Sequence, residues 1–186
     1  MSTDAHTQLI GLLRELSVRR GTFTLASGRE SDFYVDARQT ALNAHGSALI
    51  AKIILERLHP DVVAVGGMTL GADPIASSVA ALSTHYGRPV HGFIIRKEPK
   101  GHGVGRYLVG ELNLPAGSKV CMVEDTTTTG GSLLQAINRV REAGYEVAQV
   151  MTLVDREEGA KDNLESAGYT LDALTTRTQL LAEDGA

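Results

Sequence analysis

Three short stretches of this chain carry residue types at spacings suited to chemistry. The first is Glu124-Asp125 followed by Thr126, Thr127, Thr128, Thr129, Gly130, Gly131 and Ser132. If a helix opens at the glycines, its first backbone N–H groups lack intrahelical partners and its dipole favours an anion there. Glycine lets the backbone approach that anion closely, and the hydroxyls add donors. The loop suits a terminal phosphate monoester. Two adjacent carboxylates at a strand end are costly to desolvate. They suit a neighbouring group with hydroxyls, such as a ribose diol, or a Mg²⁺ ion. Phosphate on the loop and a diol on the acids describe a ribose 5-phosphate.

The second stretch, RKEPKGHG, places Arg96, Lys97, Lys100 and His102 within seven residues, with further glycines at Gly101, Gly103 and Gly105. A run of cations is ordinarily a solvated surface. Beside an anion loop it becomes a clamp for a highly charged group such as diphosphate. Lysine is a hydrated point charge and arginine a planar fork, so the mixture suits polyphosphate oxygens. The third stretch, GGMTLGADP, can cup a second phosphate-like group with its backbone. Other chemistries lack their residues. There is no Gly-Lys-Ser/Thr for a Walker A loop, no Gly-x-Ser-x-Gly elbow and no zinc spacing among His6, His45, His59, His85 and His91. Cys121 sits in an apolar run and reads as a core thiol.

The elements that must position these stretches alternate between two periodicities. Leu9, Leu12, Leu13 and Leu16 share one helical face in DAHTQLIGLLRELSVRR, and Leu49, Ile50, Ile53, Ile54 and Leu58 form a stripe in HGSALIAKIILERL. GADPIASSVAALSTHYG reads as a helix, with Pro74 in its first turn. SLLQAINRVREAG is another, with Leu133, Ile137 and Val140 inward and Gly144 past its end. EEGAKDNLESAG is a shorter helix. The runs VVAV, FII, VCMV and VAQVMTLV are nearly continuous in apolar residues, as in strands covered on both faces. YTLDALTT is a final strand or strand plus turn. Residues 96 to 112 predict an exposed mobile loop followed by an edge strand or hairpin. Residues 47 to 155 thus predict right-handed βαβ units, an α/β fold with a mainly parallel central sheet flanked by helices. In such sheets ligands sit at the carboxyl ends of the strands, and all three polar stretches follow a strand.

The 186 residues imply one domain with a single core. The net charge of −4 leaves no basic surplus for bulk nucleic-acid binding, so an anionic ligand needs a local cationic cluster. A lone cysteine forms no intrachain disulfide, and no apolar run reaches the roughly 20 residues needed to span a bilayer. With MSTDAHTQLI lacking a basic segment before an apolar one, the expectation is a cytoplasmic protein with neither membrane nor nucleic-acid partners.

VCMVEDTTTTGGS resembles the phosphoribosyl diphosphate signature of the type I phosphoribosyltransferases. Within that group, FTLASGRESDFYVDAR and IIRKEPKGHG are similar to the motifs of orotate phosphoribosyltransferases. The likeness spans roughly residues 8 to 175. It implies the type I fold in a single domain over 1–186, with a small hood formed mainly by residues 1–40 and a mobile catalytic loop. It implies transfer of ribose 5-phosphate from phosphoribosyl diphosphate to orotate, giving orotidine 5′-monophosphate and diphosphate. It also implies Mg²⁺ held mainly by the substrate, aided by Asp125, and a homodimer whose loops act in trans.

By position, the resemblance assigns the diphosphate to Arg96, Lys97, Lys100 and His102, with Thr69 and Gly71 lining that side. Glu124 and Asp125 take the ribose hydroxyls, and Thr126 to Ser132 the 5-phosphate. Orotate falls to Thr128, Arg156 and Tyr34, and the catalytic roles to Lys100, His102 and Asp125. The match has three departures: Ala26 stands where many members have lysine, Val35 replaces the second of two aromatics, and Thr126-Thr127 replaces an apolar pair. A purine phosphoribosyltransferase is expected neither to carry TLASGRESDFY nor to give Arg156 a carboxylate to bind. A regulator sensing phosphoribosyl diphosphate usually needs a nucleic-acid surface, which the charge balance disfavours.

Overall fold

The structure is a computed structural model describing residues 3–24, 30–99, 107–110 and 114–182. Its centre is a six-stranded sheet in the order β5-β4-β3-β6-β7-β8. The strands are β3 (Ala64–Met68), β4 (His91–Ile95), β5 (Leu108–Val109), β6 (Lys119–Thr127), β7 (Glu146–Asp155) and β8 (Leu171–Thr176). All neighbours pair in parallel except β4 and β5, where Ile94 faces Val109 and Ile95 faces Leu108 antiparallel. The expected parallel sheet and its edge strand are therefore both present.

Apolar alternation along each strand divides the core in two. Cys121, Val123, Met151 and Leu153 turn to one face, and Val120, Met122 and Val150 to the other. On the first face lie α1 (Thr3–Leu12), α3 (Ala44–Arg57) and α4 (Ala72–Ser83), through Leu9, Ile50, Ile53, Ile54, Ile75 and Val79. On the second lie α5 (Gly131–Glu142) and α6 (Ala160–Ser166), through Leu133, Ile137, Val140 and Leu164. Each such side chain contributes about 1.5–3 kcal/mol of transfer free energy.

A separate antiparallel pair, β1 (Val18–Thr24) and β2 (Glu30–Val35), sets Val18 opposite Val35 and Arg20 opposite Phe33. Strand alternation buries Phe33 and Val35 and leaves Tyr34 40% exposed. Val35, at the position of the missing aromatic, is thus a core residue. Ser17 and Thr40 join hydroxyls at 2.7 Å, fastening this ribbon to the short helix α2 (Arg38–Ala41).

Two boundaries differ from the periodicity. The first helix passes through a wide turn at Leu13–Ser17 and gives way to strand at Val18, because Ser17 and Val18 face the core beside β2. Leu9 and Leu13 are buried, while Leu12 and Leu16 are half-buried. After β8 the chain forms α7 (Arg177–Leu181) rather than a turn, opened by a reciprocal Thr176–Gln179 capping box. Arg14 donates to the carbonyls of Gln179, Leu180 and Ala182, and Arg20 to that of Leu181. This five-residue helix is held by partners some 160 residues away in sequence, so local propensity could not reveal it. Among the described residues no helix is long and apolar enough to cross a membrane.

Candidate active site

The carboxyl ends of β3, β4, β6 and β7 lie at one end of the sheet, and Phe33 of the β1–β2 ribbon reaches Arg156 just beyond β7. β6 is apolar from Val120 through Val123 and then continues as Glu124-Asp125-Thr126-Thr127. Alternation turns the two acids to opposite faces. Asp125 leans on Gly71, the N-cap of α4, where any side chain would overlap its carboxylate. Burial raises its pKa, opposed by backbone N–H bonds at Thr126 and at Asp125 itself and by the Arg38 charge. Glu124 is pushed from 4.5 up to about 7, first by burial and then by the Asp125 charge, with Lys97 pulling the other way. Two half-buried acids with raised pKa values are poised for hydroxyl or cation partners.

The turn from β6 into α5 is Thr128 to Gly130. Gly130 lies beside Ala160 of α6 and takes a φ of 81°, a left-handed conformation that favours glycine. Asn163 of α6 donates to the Thr129 carbonyl at 2.9 Å, bracing the turn from outside. No side chain caps α5. The first helix-internal bond from this turn runs from Leu134 N–H to Gly130 O, leaving the N–H groups of Gly131, Ser132 and Leu133 without carbonyl partners in the helix.

Thr127 is placed otherwise than a phosphate-facing hydroxyl requires. It is the last residue of β6, 1% exposed, and donates to the Thr152 hydroxyl at 2.8 Å inside the protein. The side chain of the second threonine is therefore structural. Thr126 Oγ1 is buried without a hydrogen-bond partner, Thr128 is half-buried, and Thr129 and Ser132 are exposed.

Arg96 and Lys97 stand exposed just beyond β4, and the Arg96 N–H donates to the Tyr107 carbonyl at 2.9 Å. Lys100, His102 and Ala26 lie outside the described residues. Thr69 follows β3; its N–H donates to the Ile95 carbonyl and its hydroxyl to Asp73 at 2.8 Å.

At the end of β7, the Arg156 N–H donates to the Thr127 carbonyl, which binds the two strand ends together. The buried guanidinium pairs with Glu158 at 2.8 Å and lies 5.6 Å from the centre of the Phe33 ring. Its Nε is buried without a hydrogen-bond partner. A planar donor fork with one orphaned N–H, beneath the aromatic ribbon, suits an anionic planar ligand. Tyr34 is exposed on the same ribbon, its ring 5.6 Å from that of Phe23.

Two residues of this region escaped the sequence reading. Arg38 Nε donates to Asp36 at 2.7 Å, which holds the Asp36 pKa below its usual value, and both charges act on Asp125. Their signal was the VDAR run directly after Tyr34, read there only as part of a motif. Among the described residues, no group of three or more His, Cys, Asp or Glu side chains is arranged to hold a metal ion.

With this geometry in place, the likenesses are specific. A family model described as "Phosphoribosyl transferase domain" matches residues 38–170. Orotate phosphoribosyltransferase of Nostoc sp. is 43% identical over 169 residues, covering 91% of this chain and 82% of the relative. The crystal structure of Mycobacterium tuberculosis orotate phosphoribosyltransferase in complex with Fe(III) dicitrate superposes with a TM-score of 0.84 at 40% identity, over 96% of this chain and 99% of that one. The same enzyme in complex with 5-phospho-alpha-D-ribosyl 1-diphosphate gives a TM-score of 0.79 at 37% identity, over 95% and 98%.

Proposed function

The chain belongs to the phosphoribosyl transferase family, and we propose that it works as an orotate phosphoribosyltransferase. The reaction moves ribose 5-phosphate from phosphoribosyl diphosphate to orotate, giving orotidine 5′-monophosphate and diphosphate. The observation that carries this reading is the convergence, at one sheet end, of an uncapped helix start, two acids, a cationic exit from β4 and a buried arginine with an unused donor.

The roles follow from the chemistry of each group. The 5-phosphate sits on Thr126, Thr128, Thr129, Gly130, Gly131 and Ser132, with Thr127 contributing backbone alone. Glu124 and Asp125 accept from the ribose hydroxyls, and their charge offsets the positive charge that grows on the ring as diphosphate departs. Arg96, Lys97, Lys100 and His102 take the leaving diphosphate, with Thr69 and Gly71 beside it. Arg156 pairs with the orotate carboxylate, Tyr34 covers the base and Thr128 borders it. Orotate attacks the anomeric carbon through a ring nitrogen, which gives up its proton to water or to the departing diphosphate; the C–O bond to diphosphate breaks, and its electron pair leaves with diphosphate. No covalent enzyme intermediate is required.

The site fits Mg²⁺ as a substrate-borne ion. Asp125 offers hard oxygens whose burial a nearby cation would relieve. When bound, Mg²⁺ supplies charge neutralisation at the diphosphate oxygens. The reading extends to a cytoplasmic homodimer, each subunit's loop at Arg96 to His102 serving its partner's site, and to a single domain with residues 1–40 as hood. The buried free thiol of Cys121 is in keeping with a reducing compartment.

An absorbance assay with phosphoribosyl diphosphate and Mg²⁺, offering orotate, uracil, adenine and hypoxanthine in turn, tests the reading. Consumption of orotate alone is expected. Use of adenine or hypoxanthine instead would make it a purine enzyme, and no consumption of any base would make it a sensor.

A further inference from the structure

Arg139 lies late in α5 and has no role assigned above, yet its side chain reaches three of the site's segments. Nη1 donates to the Arg96 carbonyl at 2.7 Å and Nη2 to the Lys97 carbonyl at 3.1 Å. Nη1 also lies 3.5 Å from the Met68 sulfur, at the last residue of β3 before Thr69. The guanidinium stacks 4.0 Å from the centre of the Tyr107 ring, where the chain returns to the sheet. Arg96 and Tyr107 are themselves joined by a backbone bond.

Among the described residues the β4–β5 ladder that carries this exit has two residue pairs, too few by themselves to fix the geometry beyond it. A guanidinium fork can bond two successive carbonyls while its face stacks on an aromatic ring, a combination lysine cannot supply. The same helix opens at Gly131 with the phosphate-facing turn. From Gly131 to Arg139 a helix rises about 12 Å, so α5 links the turn at one end to the cationic exit at the other. Phosphoribosyl diphosphate carries anionic groups at both ends of its ribose, and their sites need a fixed separation.

We propose that Arg139 is a positioning residue for the diphosphate end of the substrate. Its fork and stacked face set where Arg96-Lys97 leave β4 relative to the turn that holds the 5-phosphate. The inference rests on the reading of Arg96 and Lys97 as diphosphate ligands.

Steady-state kinetics of Arg139→Ala, Arg139→Lys and Lys97→Ala test it, with amide hydrogen exchange of peptides spanning 94–98 and 107–110. In Arg139→Ala the KM for phosphoribosyl diphosphate should rise about tenfold while that for orotate stays within about twofold. Exchange in both peptides should quicken. Arg139→Lys keeps the charge but loses the fork, so it should recover less than half of the loss on a logarithmic scale. If the alanine variant is too unstable to assay, the lysine variant decides alone: a raised KM supports the inference and a wild-type KM overturns it. Full recovery by lysine would likewise show that charge, not geometry, is what matters. A wild-type KM in Arg139→Ala, with Lys97→Ala impaired, refutes the positioning role alone. An unimpaired Lys97→Ala refutes the diphosphate reading, and the inference falls with it.

Discussion

Replacing Glu124 by glutamine should make the substrate-free protein more stable and the enzyme worse. In the fold this carboxyl is pushed up to about 7 from 4.5, by burial first and the Asp125 charge second. Because the folded pKa lies above the unfolded one, the acid's stabilising contribution is complete below about pH 4.5 and is lost as pH rises through about 7. At about 1.4 kcal/mol per pKa unit, this single group removes roughly 2–3 kcal/mol of stability between pH 5 and pH 8. Glutamine keeps the shape and never ionises. The variant should match wild type near pH 5 and exceed it by about 2–3 kcal/mol at pH 8. For a chain of this size that is roughly 5–10 °C in unfolding midpoint. Thermal unfolding of both proteins across that window, without substrate, measures it. The turnover of the variant should fall at least about tenfold, since a neutral amide cannot offset charge on the ribose. A stability difference that is flat with pH, or larger at pH 5 than at pH 8, would falsify the account of a desolvated acid held ready for a ligand.

Other substitutions probe separate contacts. Gly71→Ala inserts a methyl group into the Asp125 carboxylate, so the KM for phosphoribosyl diphosphate should rise by about tenfold or more with the fold retained by circular dichroism. Asp125→Asn should lower turnover about tenfold or more, and normal activity would sink its ribose role. Thr127→Val removes the buried bond to Thr152; about 1 kcal/mol of stability should be lost in denaturant titration, with the KM for phosphoribosyl diphosphate within about twofold. Arg156→Met should raise the KM for orotate by about tenfold or more while leaving that for phosphoribosyl diphosphate near wild type, an outcome that initial-rate kinetics with each substrate varied would reveal.

Much of the site was legible because its parts are contiguous in sequence. A β strand, an acid pair, a hydroxyl-rich turn and a helix start all fall within residues 120 to 137, and backbone geometry dictates what such a junction can bind. The parallel sheet was equally readable, since strands covered on both faces must be apolar throughout. Thr127 was not readable in the same way. Four successive threonines look alike as letters, and only the packing of β6 against β7 turns one hydroxyl inward to Thr152.

By itself the sequence determined the order of the central parallel strands and the helices between them, the strand ends that carry chemistry and the residue types able to hold phosphate, ribose hydroxyls and diphosphate. These are local properties, set by periodicity and by the groups each residue offers. Only the tertiary structure decided which side chains serve those loops from a distance. The charge of Arg38 acting on Asp125, Gly71 against the same carboxylate, Phe33 beside Arg156 and Arg139 on the exit from β4 are pairings between segments far apart in the chain. Their partners are chosen by the crossover of helices and strands, which no spacing along the chain records.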